Sequence, residues 1–125
     1  MRDSYTGYFR APGMTTVYFE EKPSWTMAYA GGGQVEGFET IAQETFTFLK
    51  NALMRVSPHM PFRGPHRYRE DDWTYAFRLL RGDITDFLGD EIINNGSTRV
   101  FSQTVMGGLV LSKDSDRNSV YPWSL

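Results

Sequence analysis

Cysteine is absent from this chain of 125 residues, and that absence removes disulfides, thiolate metal sites and a cysteine nucleophile together. It leaves the cytoplasm as the expected compartment. Long hydrophobic runs are missing too. No apolar stretch approaches the ~20 residues of a membrane span. Met1-Arg2-Asp3-Ser4-Tyr5 is not followed by the apolar core of a signal peptide. There is no excess of positive charge: 13 Lys and Arg stand against 15 Asp and Glu, a formal charge of −2. With no basic run, nothing electrostatic argues for nucleic acid. Histidine occurs only as His59 and His66, seven positions apart with no third ligand at metal spacing, so no zinc site is expected. No Gly-x-Ser-x-Gly elbow marks a serine nucleophile. No catalytic or cofactor signature is complete, and no cofactor is expected.

Aromatic residues, by contrast, are plentiful. They make up 15% of a chain that is 40% hydrophobic and 22% charged, the balance of one globular domain over 1–125. Ser4 to Arg10, Thr15 to Glu20 and Trp25 to Ala30 read as three strands, with Trp25, Met27 and Tyr29 on one face of the third. Short turns at Ala11-Pro12-Gly13 and Glu21-Lys22-Pro23-Ser24 make them an antiparallel meander. Gly31-Gly32-Gly33 then ends the third strand. It is a poor phosphate cradle, because six residues separate it from the helix and no parallel βαβ unit surrounds it.

The helix is expected over residues 40–56. Thr40 and Gln43 match a capping box, and Ser57-Pro58 supplies the stop. Ile41, Ala42, Thr45, Phe46, Leu49, Ala52, Leu53 and Val56 form its apolar stripe. Phe62 to Arg69 reads as extended, and Glu70-Asp71-Asp72 as a turn. Trp73, Tyr75, Phe77 and Leu79 alternate as the clearest strand in the chain. A turn at Gly82-Asp83, a strand through Glu91-Ile92-Ile93, a hairpin turn at Asn94-Asn95-Gly96 and a return strand from Arg99 to Met106 follow. Val120 to Trp123 is an aromatic patch expected to dock on the body. The fold class is α+β: a single curved antiparallel sheet of about six strands packed on one long helix.

The two halves align without a gap at an offset of 76, with Gly13 on Gly89, Val17 on Ile93, Trp25 on Phe101, Tyr29 on Val105 and Gly31-Gly32 on Gly107-Gly108. A hairpin repeat and a chance coincidence of glycines both fit that alignment. A true repeat would curve the sheet around the helix and leave room for a pocket between them.

Gly7-Tyr8, Trp25-Thr26-Met27-x-Tyr29-x-Gly31-Gly32, Phe48-Leu49, Arg63-Gly64-Pro65, Trp73-x-Tyr75, Gly82-Asp83, Phe87-x-Gly89-x-Glu91-x-Ile93 and Gly107-Gly108 span nearly the whole chain. On these residues the chain resembles an uncharacterised bacterial domain-of-unknown-function family. The members of that family occur alone or attached to helix-turn-helix DNA-binding domains of regulators. The resemblance implies no established activity.

Arg63 stands before a rigid Gly-Pro turn that fixes its guanidinium, either for a carboxylate or phosphate ligand or for an ion pair with Glu91 or Asp83. Glu91 shares strand parity with Ile93, so it points inward as an ion-pair partner or as an acid/base group. Asp83 reads more simply as a turn residue. Trp25, Tyr29, Trp73 and Tyr75 offer rings to a ligand or to ordinary packing. The candidate ligand-binding residues are therefore Arg63, Glu91, Trp25, Tyr29, Trp73 and Tyr75. The reading that results is a non-enzymatic binding or sensing module for a small molecule. The alternatives are a small acid/base enzyme acting on an anionic substrate, with Glu91 or Asp83 as base, and a homodimerising interaction domain. Neither nucleic acid nor membrane is an expected partner.

Overall fold

The structure is a computed structural model and describes residues 1–56 and 62–120. Seven strands form one antiparallel sheet: β1 (Arg2–Tyr5), β2 (Gly13–Phe19), β3 (Lys22–Gly33), β4 (Arg67–Glu70), β5 (Trp73–Asp83), β6 (Asp86–Asn95) and β7 (Thr98–Leu109). Their spatial order is β1-β2-β3-β7-β6-β5-β4, so two meanders meet at the β3–β7 seam. The sheet curls into a half-barrel around one helix, α1 (Ala42–Leu53). A separate small hairpin, β8 (Ser112–Lys113) with β9 (Ser119–Val120), follows.

The sheet thus has seven strands where about six were expected, and the helix is short, 12 residues, not 40–56. At its start, Gly37 at φ 75 opens a single 3-10 turn, Phe38–Thr40, which takes Thr40 out of the capping position. The Thr40 hydroxyl donates instead to the Gly37 carbonyl at 2.8 Å, and the N-cap is Ile41 with no side-chain bond. Buried Thr45 returns its hydroxyl to the Ile41 carbonyl, one turn back. The buried face also includes Phe48, which the sequence stripe omits, while Val56 is exposed. The stop at Ser57-Pro58, His59 and the patch from Tyr121 to Trp123 lie outside the described residues.

The first strand is shorter and earlier than Ser4 to Arg10. Gly7 takes φ 95, and a Cβ there would overlap the Arg10 carbonyl, so the chain folds back and Thr6 N–H donates to Pro12 O at 3.1 Å. Tyr8 and Phe9, which look like strand residues, sit on this loop. Tyr8 meets the Phe46 ring of α1 edge-on at 5.3 Å. The turn between β2 and β3 falls at Glu20-Glu21, both at positive φ, one residue earlier than expected. The turn between β5 and β6 falls at residues 84–85, just after Gly82-Asp83. The three glycines do not end the third strand; β3 runs through Gly33. Gly31 packs against the Ser102 carbonyl of β7, and Gly33 against the Phe38 ring, so missing side chains permit close approach rather than a break.

The hairpins β2–β3 and β6–β7 share one register. Gly13 pairs Tyr29 as Gly89 pairs Val105, and Val17 pairs Trp25 as Ile93 pairs Phe101. Each ladder shifts register at the same place, after Val17 and after Ile93. Across the seam Tyr29 faces Val105, and Trp25 faces Leu109 just as Phe101 faces Gly33. A pseudo-twofold axis normal to the sheet therefore passes between Tyr29 and Val105. Trp25 and Phe101 both turn to the concave core, where Met27, Phe77, Phe87, Ile93 and Val105 are buried against α1 and its flanks.

The glycine run makes a sharp comparison. Gly31→Ala is expected to cost ~1–3 kcal/mol in a urea melt, because backbone must shift to admit the methyl group. Gly32→Ala crowds the Arg10 side chain, which can swing away, and meets backbone only at the Phe9 carbonyl, at 3.4 Å, so it should cost less than half as much.

Candidate functional site

Arg63 reaches the sheet from the segment before β4. Its neighbour Gly64 lies against the Tyr75 hydroxyl, where any Cβ would overlap it. The Gly-Pro pair thus lets the main chain pass over a buried tyrosine and lower Arg63 onto the concave face. The Arg63 side chain is only 10% exposed. Its Nε donates to both oxygens of Glu91, at 3.3 and 3.2 Å.

Glu91 sits in the middle of β6, on the face it shares with Ile93, and is fully buried. A lone ionised carboxylate there would be strongly disfavoured, so its acceptors need donors. Tyr75 Oη donates to Oε2 at 2.8 Å, and Gln103 Nε2 donates to Oε1 at 2.5 Å. Gln103 is the residue directly opposite Glu91 in the β6–β7 ladder. With Arg63, three donor groups serve the one carboxylate.

The guanidinium extends the cluster toward β3. Arg63 Cζ lies 4.4 Å from the centroid of the Tyr29 ring, a cation–π contact. Tyr29 Oη donates to Asp3 Oδ1 at 2.9 Å, and the Thr15 hydroxyl donates to the same oxygen at 3.0 Å. One connected path, Gln103–Glu91–Arg63–Tyr29–Asp3–Thr15, therefore crosses most of the sheet.

Burial works against the charge on Arg63, but Glu91 outweighs it through its own charge and hydrogen bond, and the guanidinium is held more firmly protonated than usual. Burial, then the charge of Glu91, raises the Tyr75 hydroxyl well above its ordinary range. Burial, then the hydrogen bond to Asp3, pushes Tyr29 up to about 12, with Arg63 pulling the other way.

Of the six residues expected to form a site, Arg63, Glu91, Tyr29 and Tyr75 come together. Trp25 and Trp73 share the face but not the place. Trp25 stacks on Phe87 at 5.8 Å and donates its indole N–H to Ile84 O at 2.8 Å. Trp73 packs on Phe48 of α1 at 5.7 Å. Asp83 is exposed at the end of β5, where Thr85 donates to it through its hydroxyl and its N–H. Those bonds, the hydroxyl first, hold its carboxyl below the usual range. It takes no part in the ion pair; Glu91 does.

Sequence reasoning missed Gln103, Asp3 and Thr15. The 76-residue offset carried the signal for Gln103, since the register it implies sets that residue opposite Glu91. Asp3 carried none, because the first strand was placed too late.

A cavity of about 240 Å³ opens beside the cluster. Arg63, Tyr29, Gln103 and Phe101 line its sheet side, Phe46, Leu49, Lys50 and Leu53 line it from α1, and the loop bearing Tyr8 lines its rim. Among the described residues, no group of three His, Asp or Glu could hold a metal ion. Likewise no helix is long and apolar enough to cross a membrane.

Two outcomes follow from this geometry. Arg63→Ala strands a buried carboxylate and should destabilise the fold by ~3 kcal/mol or more. Adding Glu91→Gln should recover part of that loss, and a double-mutant cycle read by denaturant melts should return a coupling well above zero. The second outcome concerns alkaline pH. Tyr29 has a folded pKa raised from 10.0 to about 12, so its share of stability is complete below pH 10.0 and is lost as pH climbs toward about 12. Tyr75 is raised as well and adds to the same loss. Among the described tyrosines, these two should give tyrosinate absorbance last, together with unfolding. In Tyr29→Phe, the alkaline decline of the melting temperature should flatten.

Comparison with curated proteins and with solved structures returns no match. A family model described as a domain of unknown function, DUF5680, matches residues 3–110. That span starts at Asp3, takes in every member of the polar cluster and ends one residue after β7. The chain belongs to the DUF5680 family.

Proposed function

We propose that the chain is a non-enzymatic binding or sensing module for a small molecule, held in the cavity between α1 and the concave face. The observation that carries this reading is the position of Arg63 on the cavity wall, with its Nε committed to Glu91. A guanidinium has five N–H donors, and the Glu91 pair uses one nitrogen and sets the plane of the rest. The remaining donors are pre-oriented for an anionic or carbonyl group, and Lys50 lines the facing side of the cavity, from α1. Phe46, Leu49, Leu53 and Phe101 supply the apolar lining that small-molecule sites have. The volume, about 240 Å³, falls below the usual ~300–1,000 Å³ of ligand pockets and so suits only a compact ligand. The resemblance to bacterial domains fused to helix-turn-helix regulators supports sensing as the purpose, by analogy only.

The acid/base reading has less to stand on. Glu91 is fully buried and accepts from three donors, so it has no free oxygen to offer a substrate proton. Asp83 is exposed at the end of β5, and its carboxyl is already engaged by Thr85.

A thermal-shift screen against a panel of small carboxylates and other metabolites tests the proposal, since a ligand that binds the native state raises its melting temperature. At least one class should raise it by several degrees. Leu53→Trp, on the cavity wall and away from Glu91, should abolish that rise while the unliganded protein still melts cooperatively. A panel in which no rise is lost in Leu53→Trp would overturn the proposal.

A further inference from the structure

The convex side of the sheet carries a second feature that the concave site does not use. Residues 74, 76 and 78 of β5 alternate with the buried Tyr75 and Phe77, so they face away from α1. Residues paired across strands share a face. Arg69 pairs Thr74, Thr74 pairs Asn94, and Asn94 pairs Arg99, giving one row across four strands with an arginine at each end. The next row begins with Arg67, which pairs Ala76, and Arg78 stands one step further along β5. Long arginines on the rim and short side chains in the middle leave a basin of about 590 Å³.

The charge in this basin runs against that of the whole chain. The protein has a formal charge of −2, yet four arginines line the basin and no Asp or Glu does. Asp90 neutralises Arg78 from the side through a two-point bond at 2.8 and 2.6 Å. Arg69 donates its Nε to the Asp71 carbonyl, which orients the group without cancelling its charge. Among the described residues, Arg67 and Arg99 have no ion-pair partner. Asn94 in the floor holds the one buried side-chain polar atom that lacks a hydrogen bond among the described residues, Oδ1. A half turn of its amide puts the NH2 in that position as a donor.

We propose that this basin is a second binding site, for a compact polyphosphate group. Planar guanidinium groups on opposite rims match adjacent phosphates by paired hydrogen bonds, and the floor amide adds a neutral donor. Single-stranded nucleic acid fits less well. Such strands need aromatic rings to stack on, and the nearby rings face the other way: Tyr75 bonds Glu91, and Tyr68 stacks on Phe48. The site is independent of the cavity beneath α1.

Isothermal titration with sodium tripolyphosphate at fixed ionic strength tests the proposal, with sulfate as the control anion. One tripolyphosphate should bind per chain, and more tightly than sulfate. Arg67→Ala with Arg99→Ala should weaken it about a hundredfold, some tenfold per charged bond removed. Both arginines are exposed and outside the core, so the melting temperature of the unliganded double variant should match the parent. Leu53→Trp should leave the titration unchanged, which separates this site from the cavity. Adenosine diphosphate and pyrophosphate run in parallel name the source: equal affinities indicate a bare polyphosphate, and tighter diphosphate nucleoside binding indicates a nucleotide. Absence of binding, or binding that the double variant retains, overturns the proposal. So does a single-stranded RNA whose affinity exceeds that of tripolyphosphate and grows with length.

Discussion

A carboxylate closed off from water governs the concave side of this domain. Glu91 sits where solvation is lost, and the charge is tolerable only if protein donors replace the water. That condition reaches outward through covalent neighbours. Tyr75 must aim its hydroxyl inward from β5, Gln103 must sit opposite on β7, and Arg63 must come from a segment outside the sheet. Gly64 must then be a glycine, because the chain that delivers Arg63 passes over Tyr75. The ion pair fastens this segment to the middle of the sheet, beside Phe62, which packs on Phe77 and Phe87 in the core. The same pair lays Arg63 on Tyr29, which ties in Asp3 and so the edge strand β1.

The pseudo-twofold makes the placement of this charge instructive. The position equivalent to Glu91 in the first hairpin is Thr15, and that of Gln103 is Met27. Two halves with one register and one bulge thus hold different chemistry at the same address. The first half keeps a small hydroxyl and a thioether, whereas the second keeps a buried acid and its amide donor. Asp3 stands beside Thr15 and bonds to it, so negative charge appears in both halves, but from different strands. Arg63 lies between Glu91 and Tyr29, and through Tyr29 it is linked to Asp3.

Much of this arrangement was legible in the residue order. The alternation of Trp73, Tyr75 and Phe77 and the parity of Glu91 with Ile93 identify the buried face, and the Gly64-Pro65 turn marks Arg63 as fixed. Parity gives a face and no more, which is why Trp25 and Trp73 were grouped with Tyr29 and Tyr75 although they pack at other points of the same surface. Local preference misled where tertiary contact decides. Gly31 to Gly33 look like a break, yet they extend β3 because β7 and Phe38 press close. Tyr8 and Phe9 look like strand, yet Gly7 turns the chain and hands Tyr8 to α1. The arginine basin was invisible for a different reason: its members come from β4, β5 and β7, and only the cross-strand pairing brings them together.

The seam between the two meanders has a consequence for how the chain acquires its shape. Each hairpin closes through a short turn, so its contacts are local and form quickly. The β3–β7 ladder joins residues far apart in sequence: Gly33 and Phe101 are 68 positions apart, and Trp25 and Leu109 are 84 apart. Closing so large a loop costs chain entropy before any contact compensates it. The seam along Tyr29 and Val105 is therefore the pairing in this sheet that costs the most chain entropy to close. High contact order of this kind places the domain among the slower folders of its size.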